Sequence, residues 1–147
     1  MTVTVTLELA RQMLAAAVAS AREQGALVTA AVVDAGGHLV ALERLDGAEI
    51  AGPTLATDKA YSAVSHRIST LELGRLAVPG APLFGVQMAH GGRWTIIGGG
   101  LPLWSGGRTV GGIGVSGGTV EQDVAAAESG RLVWLAAGGT GDDRQQP

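Results

Sequence analysis

The stretch from Gly98 to Gly118 constrains the fold more than any other part of this chain. Short apolar runs alternate there with glycine: Trp94 to Ile97, Leu101 to Trp104, a turn at Ser105-Gly106-Gly107, then Thr109 to Val115. Apolar runs this short, bounded by turn residues, read as strands. Thr119 to Gln122 then has the spacing of a capping box and opens a final helix to about Ala136. Within this region Gly112-Ile113-Gly114-Val115-Ser116-Gly117 formally matches the G-x-G-x-x-G pattern of dinucleotide sites. The context does not fit that reading, because one helix and a tail follow, with no second strand to carry a ribose-binding acid. A smaller expectation survives. The backbone N–H groups of Ser116, Gly117 and Gly118 meet the positive end of the last helix, which suits a carboxylate or phosphate. The same glycines are explained slightly better by a tight strand-to-helix turn.

The preceding two thirds supply what such strands pack against. Leu7, Ala10, Leu14, Ala17, Val18 and Ala21 recur at helical spacing behind an N-cap at Thr6, and Gly25 closes that helix. Leu27 to Val33 and His38 to Glu43 form a hairpin about Asp34-Ala35-Gly36-Gly37. Pro53 opens a second helix whose stripe is Ala56, Ala60, Ala63 and Val64. Ser69 to Glu72 caps a short third helix ending at Gly74. The run 77–92 reads as loop, with a candidate strand over Phe84 to Met88. Helix, hairpin, helices, strands and helix make a single α/β (α+β) domain, residues 1–137, with an antiparallel sheet. Aromatic residues are 3% of the chain, so small aliphatic side chains meeting closely must build the core. The tail 138–147 is polar and expected to be disordered.

Composition also narrows the function. The chain has no cysteine, hence no disulfide framework, thiolate metal site or cysteine nucleophile. A net charge of −3 without a basic run argues against nucleic acid. No apolar run reaches membrane-spanning length, and no signal peptide opens the chain, so a cytoplasmic protein off the membrane is expected. No metal-ligand spacing stands out.

Four ordered blocks resemble one family. They are Ala31 to Val40, Arg44-Leu45-Asp46-Gly47-Ala48, Lys59-Ala60-Tyr61-Ser62-Ala63, and Gly99-Gly100-Leu101-Pro102-Leu103 running on through Val110 to Gly118 and Glu121-Gln122-Asp123. Together they resemble the HbpS/GlcG/PduO C-terminal family over nearly the whole chain. The resemblance implies about five antiparallel strands flanked by helices and a homo-oligomer. It also implies a small-molecule ligand near subunit contacts, with haem or a corrinoid as the cofactor candidates. In the PduO-type branch the haem ligand is a histidine on the first helix; here that helix offers Gln12 and Met13.

Two functions follow as expectations: a small-ligand-binding oligomer, or an enzyme acting on a carboxylate or carbonyl substrate. Lys59 and His90 are the catalytic candidates. Lys59 serves either as an anion binder or general acid, or as a structural ion pair with Asp34, Asp46 or Asp123. His90 lies in a glycine-rich loop, where acid, base or ligand roles are common. Ligand-binding candidates are His38, Arg44, Tyr61, Gly99, Gly100, Pro102, Ser116, Gly117 and Gly118. His38 is more simply a surface residue, and Arg44 most simply pairs with Asp46 or with a neighbouring subunit. His66 at a helix end most simply complements the dipole. The three tryptophans are read as core or as pocket walls.

Overall fold

The computed structural model describes residues 2–142. The elements are α1 (Leu7–Glu23), β1 (Thr29–Asp34), β2 (Leu39–Arg44), α2 (Gly52–His66), α3 (Thr70–Leu76), β3 (Gly100–Ser105), β4 (Arg108–Ser116) and α4 (Val120–Ala136). They form one domain with a four-stranded antiparallel sheet in the order β2-β1-β4-β3. Among the described residues no helix is long and apolar enough to cross a membrane.

Local chemistry sets the boundaries. The Thr6 side chain accepts from the Leu9 N–H, and the Ser69 side chain from the Glu72 N–H. Thr119 and Gln122 complete a reciprocal capping box at the start of α4. Pro53 stands in the first turn of α2, where its missing N–H costs no hydrogen bond. Pro102 sits on β3, an edge strand. The helix α3 runs two residues past the expected end at Gly74.

The expected fifth strand is absent among the described residues, because Trp94 to Ile97 attaches to α2 instead of the sheet. The Thr95 N–H donates to Ser62 Oγ at 2.7 Å, and Ser62 Oγ also donates to the Asp58 carbonyl. Phe84 to Met88 is not a strand either: Val86–Met88 is one turn of 3-10 helix. In the tail, the Thr140 N–H donates to the Trp104 carbonyl at 2.8 Å, so the chain returns beside β3. The remainder of the expected disordered segment, 143–147, lies outside the described residues.

The two faces of the sheet are packed differently. Ala30, Val32, Leu101, Leu103, Ile113 and Val115 point to one face and meet Met13, Leu14, Ala17, Ala126 and Trp134 of α1 and α4. The other face meets α2, where the apolar cluster is only Val33, Ala60 and Val64. Glycines make up the difference. A Cβ on Gly114 would run into the Ala56 carbonyl, on Gly112 into the Ala60 carbonyl, and on Gly100 into the Lys59 carbonyl. The helix therefore rests nearly backbone to backbone on β3 and β4. That is why this sequence alternates glycine with Ile113, Val115 and Leu101: small toward α2, large toward α1 and α4.

Candidate functional site

The residues singled out in the sequence separate into two groups, both organised by α2. The first surrounds Lys59, which is 2% exposed. Its ammonium donates to the Val115 carbonyl at 2.9 Å and to Asp123 Oδ2 at 3.2 Å. The other Asp123 oxygen accepts from the Gly118 N–H at 2.9 Å. Gly99 and Gly100 back directly onto Lys59. Ser116 is buried on β4 opposite Thr29, and Gly117 bends the chain against Leu27 and Val28. Of the three N–H groups offered to an anion at α4, that of Gly118 is taken by the chain's own carboxylate. The Thr119 N–H is likewise occupied, by Gln122 Oε1. Burial pushes the Lys59 ammonium below its ordinary pKa, while the charge and hydrogen bond of Asp123, and more weakly Glu49, pull it back up. The geometry is that of a buried ion pair joining α2 to α4 at the end of the sheet.

The second group lies on the outer face of α2, against the segment 90–94. The Tyr61 hydroxyl is 2.8 Å from His90 Nε2, and the two rings are nearly parallel at 5.5 Å between centroids. With the ring proton on Nδ1, the hydroxyl donates to Nε2. The Arg93 guanidinium lies over the Tyr61 face, its Cζ 3.6 Å from the centroid, and its Nε donates to Asp58 Oδ1 at 3.1 Å. Trp94 packs against both His90 (5.1 Å) and, edge to face, His66 (4.6 Å). Burial lowers the His66 pKa, so its ring favours the neutral form. The indole N–H of Trp94 and Nε2 of His66 are both buried without a hydrogen-bond partner among the described residues.

Local backbone explains how this group forms. Gly37 takes φ +80 in the hairpin turn, and any Cβ there would strike the Tyr61 ring. The turn thus acts as a floor for the tyrosine. On the other side His90 itself has φ +54, followed by Gly91 and Gly92, also at positive φ. A non-glycine residue in that region is costly and calls for an explanation in contacts or function. Here the conformation brings the imidazole onto Tyr61.

The remaining candidates stand apart. His38 is exposed on the turn, its Nδ1 3.2 Å from Asp34 Oδ1. Arg44 is exposed at the end of β2 and makes no ion pair with Asp46 among the described residues. Pro102 lines a surface groove with Arg67, Leu101 and Trp104, away from either group. Tyr61 and His90 were both legible as polar residues in suggestive places. Asp58, Arg93 and Trp94 were missed as members of one site, since nothing in the spacing joins residue 58 to residues 90–94.

Comparisons with known proteins agree with this fold. A family model described as haem degrading protein HbpS-like matches residues 5–131. The uncharacterized 15.0 kDa protein of the dhaT-dhaS intergenic region of Citrobacter freundii is 41% identical, over 86% of this chain and 89% of that protein. The crystal structure of Klebsiella pneumoniae protein ORFY superposes with a TM-score of 0.87 at 37% identity, covering 92% of this chain and 94% of that one. A crystal structure of PduOC in complex with haem gives a TM-score of 0.85 at 34% identity, covering 89% and 95%. With that extent of sequence and structural agreement, the chain belongs to the HbpS-like family.

Proposed function

We propose that this protein binds a small planar ligand of the haem class at the Tyr61–His90–Arg93 cluster. The observation that carries the reading is the contact between Tyr61 and His90. It puts two side chains of the kinds that ligate haem iron side by side at the surface, and iron bound by either one would replace the hydrogen bond they share. The alternative seat on α1 lacks the means: Met13 is fully buried in the core and the helix has no histidine. The loop beside the cluster adds apolar surface, since Met88 is 80% exposed and Phe84 65%. PduOC, a relative, is known in complex with haem, which supports the ligand class. A bound haem would supply the iron chemistry, and the chain's part is to bind and orient the macrocycle. From the family resemblance we further read the protein as a homo-oligomer.

Titration with hemin, followed in the Soret region, tests this. Saturable binding is expected, weakened at least about tenfold by Tyr61→Phe or His90→Gln. Arg75→Gln, on the surface of α3, should leave it unchanged. Absence of a saturable spectral change, or equal loss in all three variants, would rule the site out.

An enzymatic reading rests on the same contact. Tyr61 and His90 form a proton-transfer pair of the kind used for acid–base work on a carbonyl compound. Lys59 has no such opening to a cleft. Its ammonium is closed off by Asp123 and the Val115 carbonyl.

A further inference from the structure

Arg93 is held in an unusual way. Its backbone carbonyl lies 3.5 Å from Ser62 Oγ, and the following Thr95 N–H donates to the same oxygen. Its side chain is fixed twice more, by Asp58 at Nε and by the face of Tyr61. All three fixed points are on α2, spaced so that Asp58, Tyr61 and Ser62 share one side of the helix. Only one edge of the guanidinium is used by Asp58. Among the described residues neither Nη atom has a hydrogen-bond partner, and the side chain remains 39% exposed. A planar fork of this kind matches a carboxylate bidentately, and its ordering cost has already been met by the fold.

We propose that Arg93 is the anchor for a carboxylate on the ligand, so that the site holds a conjugated planar carboxylic acid whether or not the ligand carries a metal. This rests on the binding site argued above and adds what selects the ligand. The Tyr61 face is already covered by the guanidinium, so a conjugated body is offered the exposed His90 ring and the apolar side chains of Phe84 and Met88, which favours a carboxylate on such a body over free phosphate. Asp58 neutralises part of the arginine charge, so the selectivity comes from two directed N–H groups more than from net field.

The test uses metal-free protoporphyrin IX, which carries two carboxylates, and its dimethyl ester, the same macrocycle without them. Both are titrated against the full chain by porphyrin fluorescence in dilute nonionic detergent, with hemin run in parallel. The acid should bind saturably, more weakly than hemin because it lacks the iron that Tyr61 or His90 would ligate, and the ester at least about tenfold more weakly than the acid. Arg93→Gln should remove most of that preference while thermal melting shows the variant folded. Comparing acid with ester on the unmodified protein keeps the test decisive if the variant does not fold. Equal binding of acid and ester, or a preference that survives Arg93→Gln, overturns the anchor. Binding of hemin without binding of protoporphyrin IX overturns it too, and would mean that the iron carries the affinity. Failure of all three ligands removes the binding site itself, a separate result.

Discussion

The sheet has one face built on volume and one built on closeness. Toward α1 and α4, large side chains interdigitate, with Trp134, Met13, Leu14 and Ile113 fully buried. Toward α2, glycines let the helix backbone approach, and little side-chain volume intervenes. The difference has a consequence for function. A helix held by its small inner stripe has its outer face free for chemistry, and α2 uses that face for Asp58, Tyr61 and His66. The volume-filled core and the candidate site are thereby placed on opposite sides of one sheet.

Loss of the Lys59 ammonium should have the largest effect. Lys59→Met leaves the Asp123 carboxylate buried without a counter-charge, a change that typically costs about 3–5 kcal/mol. Urea denaturation is expected to show a loss near the upper half of that range. The double variant with Asp123→Asn should recover a substantial part, because the amide keeps an oxygen for the Gly118 N–H while removing the orphaned charge. A loss below about 1 kcal/mol in the single variant would mean that the ion pair does not hold α2 to α4.

Next comes a single added methyl. Gly114→Ala places a carbon against the Ala56 carbonyl, where no flexible side chain can yield. A cost of about 3 kcal/mol is expected, comparable to deleting most of Leu14 from the opposite face by Leu14→Ala. Equal penalties from adding one carbon and removing three would sharpen the contrast between the faces. A tolerated Gly114→Ala would break it, and would show that α2 can lift without penalty.

This same contrast explains what the sequence made legible. The face built on volume announced itself: the apolar stripe of α1, the Thr6 cap and the capping box at Thr119 all depend on neighbours three or four residues away. The glycines of β4 were visible as well, though their pattern can be read as turn or anion loop until α2 is seen lying on them. Trp94 to Ile97 was read as a strand because its composition is strand-like. Its partner is Ser62, whose hydroxyl takes the Thr95 N–H, and a side-chain acceptor so far along the chain leaves no periodic trace. The site suffered from the same blindness. Tyr61 and His90 are each conspicuous, but their 29-residue separation carries no information until the loop folds back. Arg93 belongs to no motif in the sequence, and its stacking on Tyr61 is what singles it out.

Substitutions on the outer face of α2 should separate binding from stability. Tyr61→Phe removes one hydroxyl at a partly exposed position, so unfolding free energy should move by no more than about 0.5 kcal/mol. Hemin affinity should nonetheless fall about tenfold, equivalent to about 1.4 kcal/mol. A variant that loses stability and affinity together would place Tyr61 in the supporting structure and erase the division between the two faces.

The smallest effect concerns His66, which lies where the thin face meets the site. Burial lowers its pKa in the folded chain, whereas in the unfolded chain it titrates near the ordinary value of 6.5. As pH falls through 6.5 the unfolded state gains a proton that the folded state still refuses, so stability must decline over that interval. Below the lowered folded value both states are protonated and the decline from this group stops. The expected signature is a modest drop in Tm between neutral pH and pH 5 that flattens in His66→Gln, compared at each pH with the unmodified protein. His66 also packs edge to face on Trp94, so protonation should disturb the indole and quench or shift tryptophan fluorescence over the same interval. If the Tm profile is identical in the variant, the imidazole is solvated, and the lower part of the site is open to water rather than closed by Trp94.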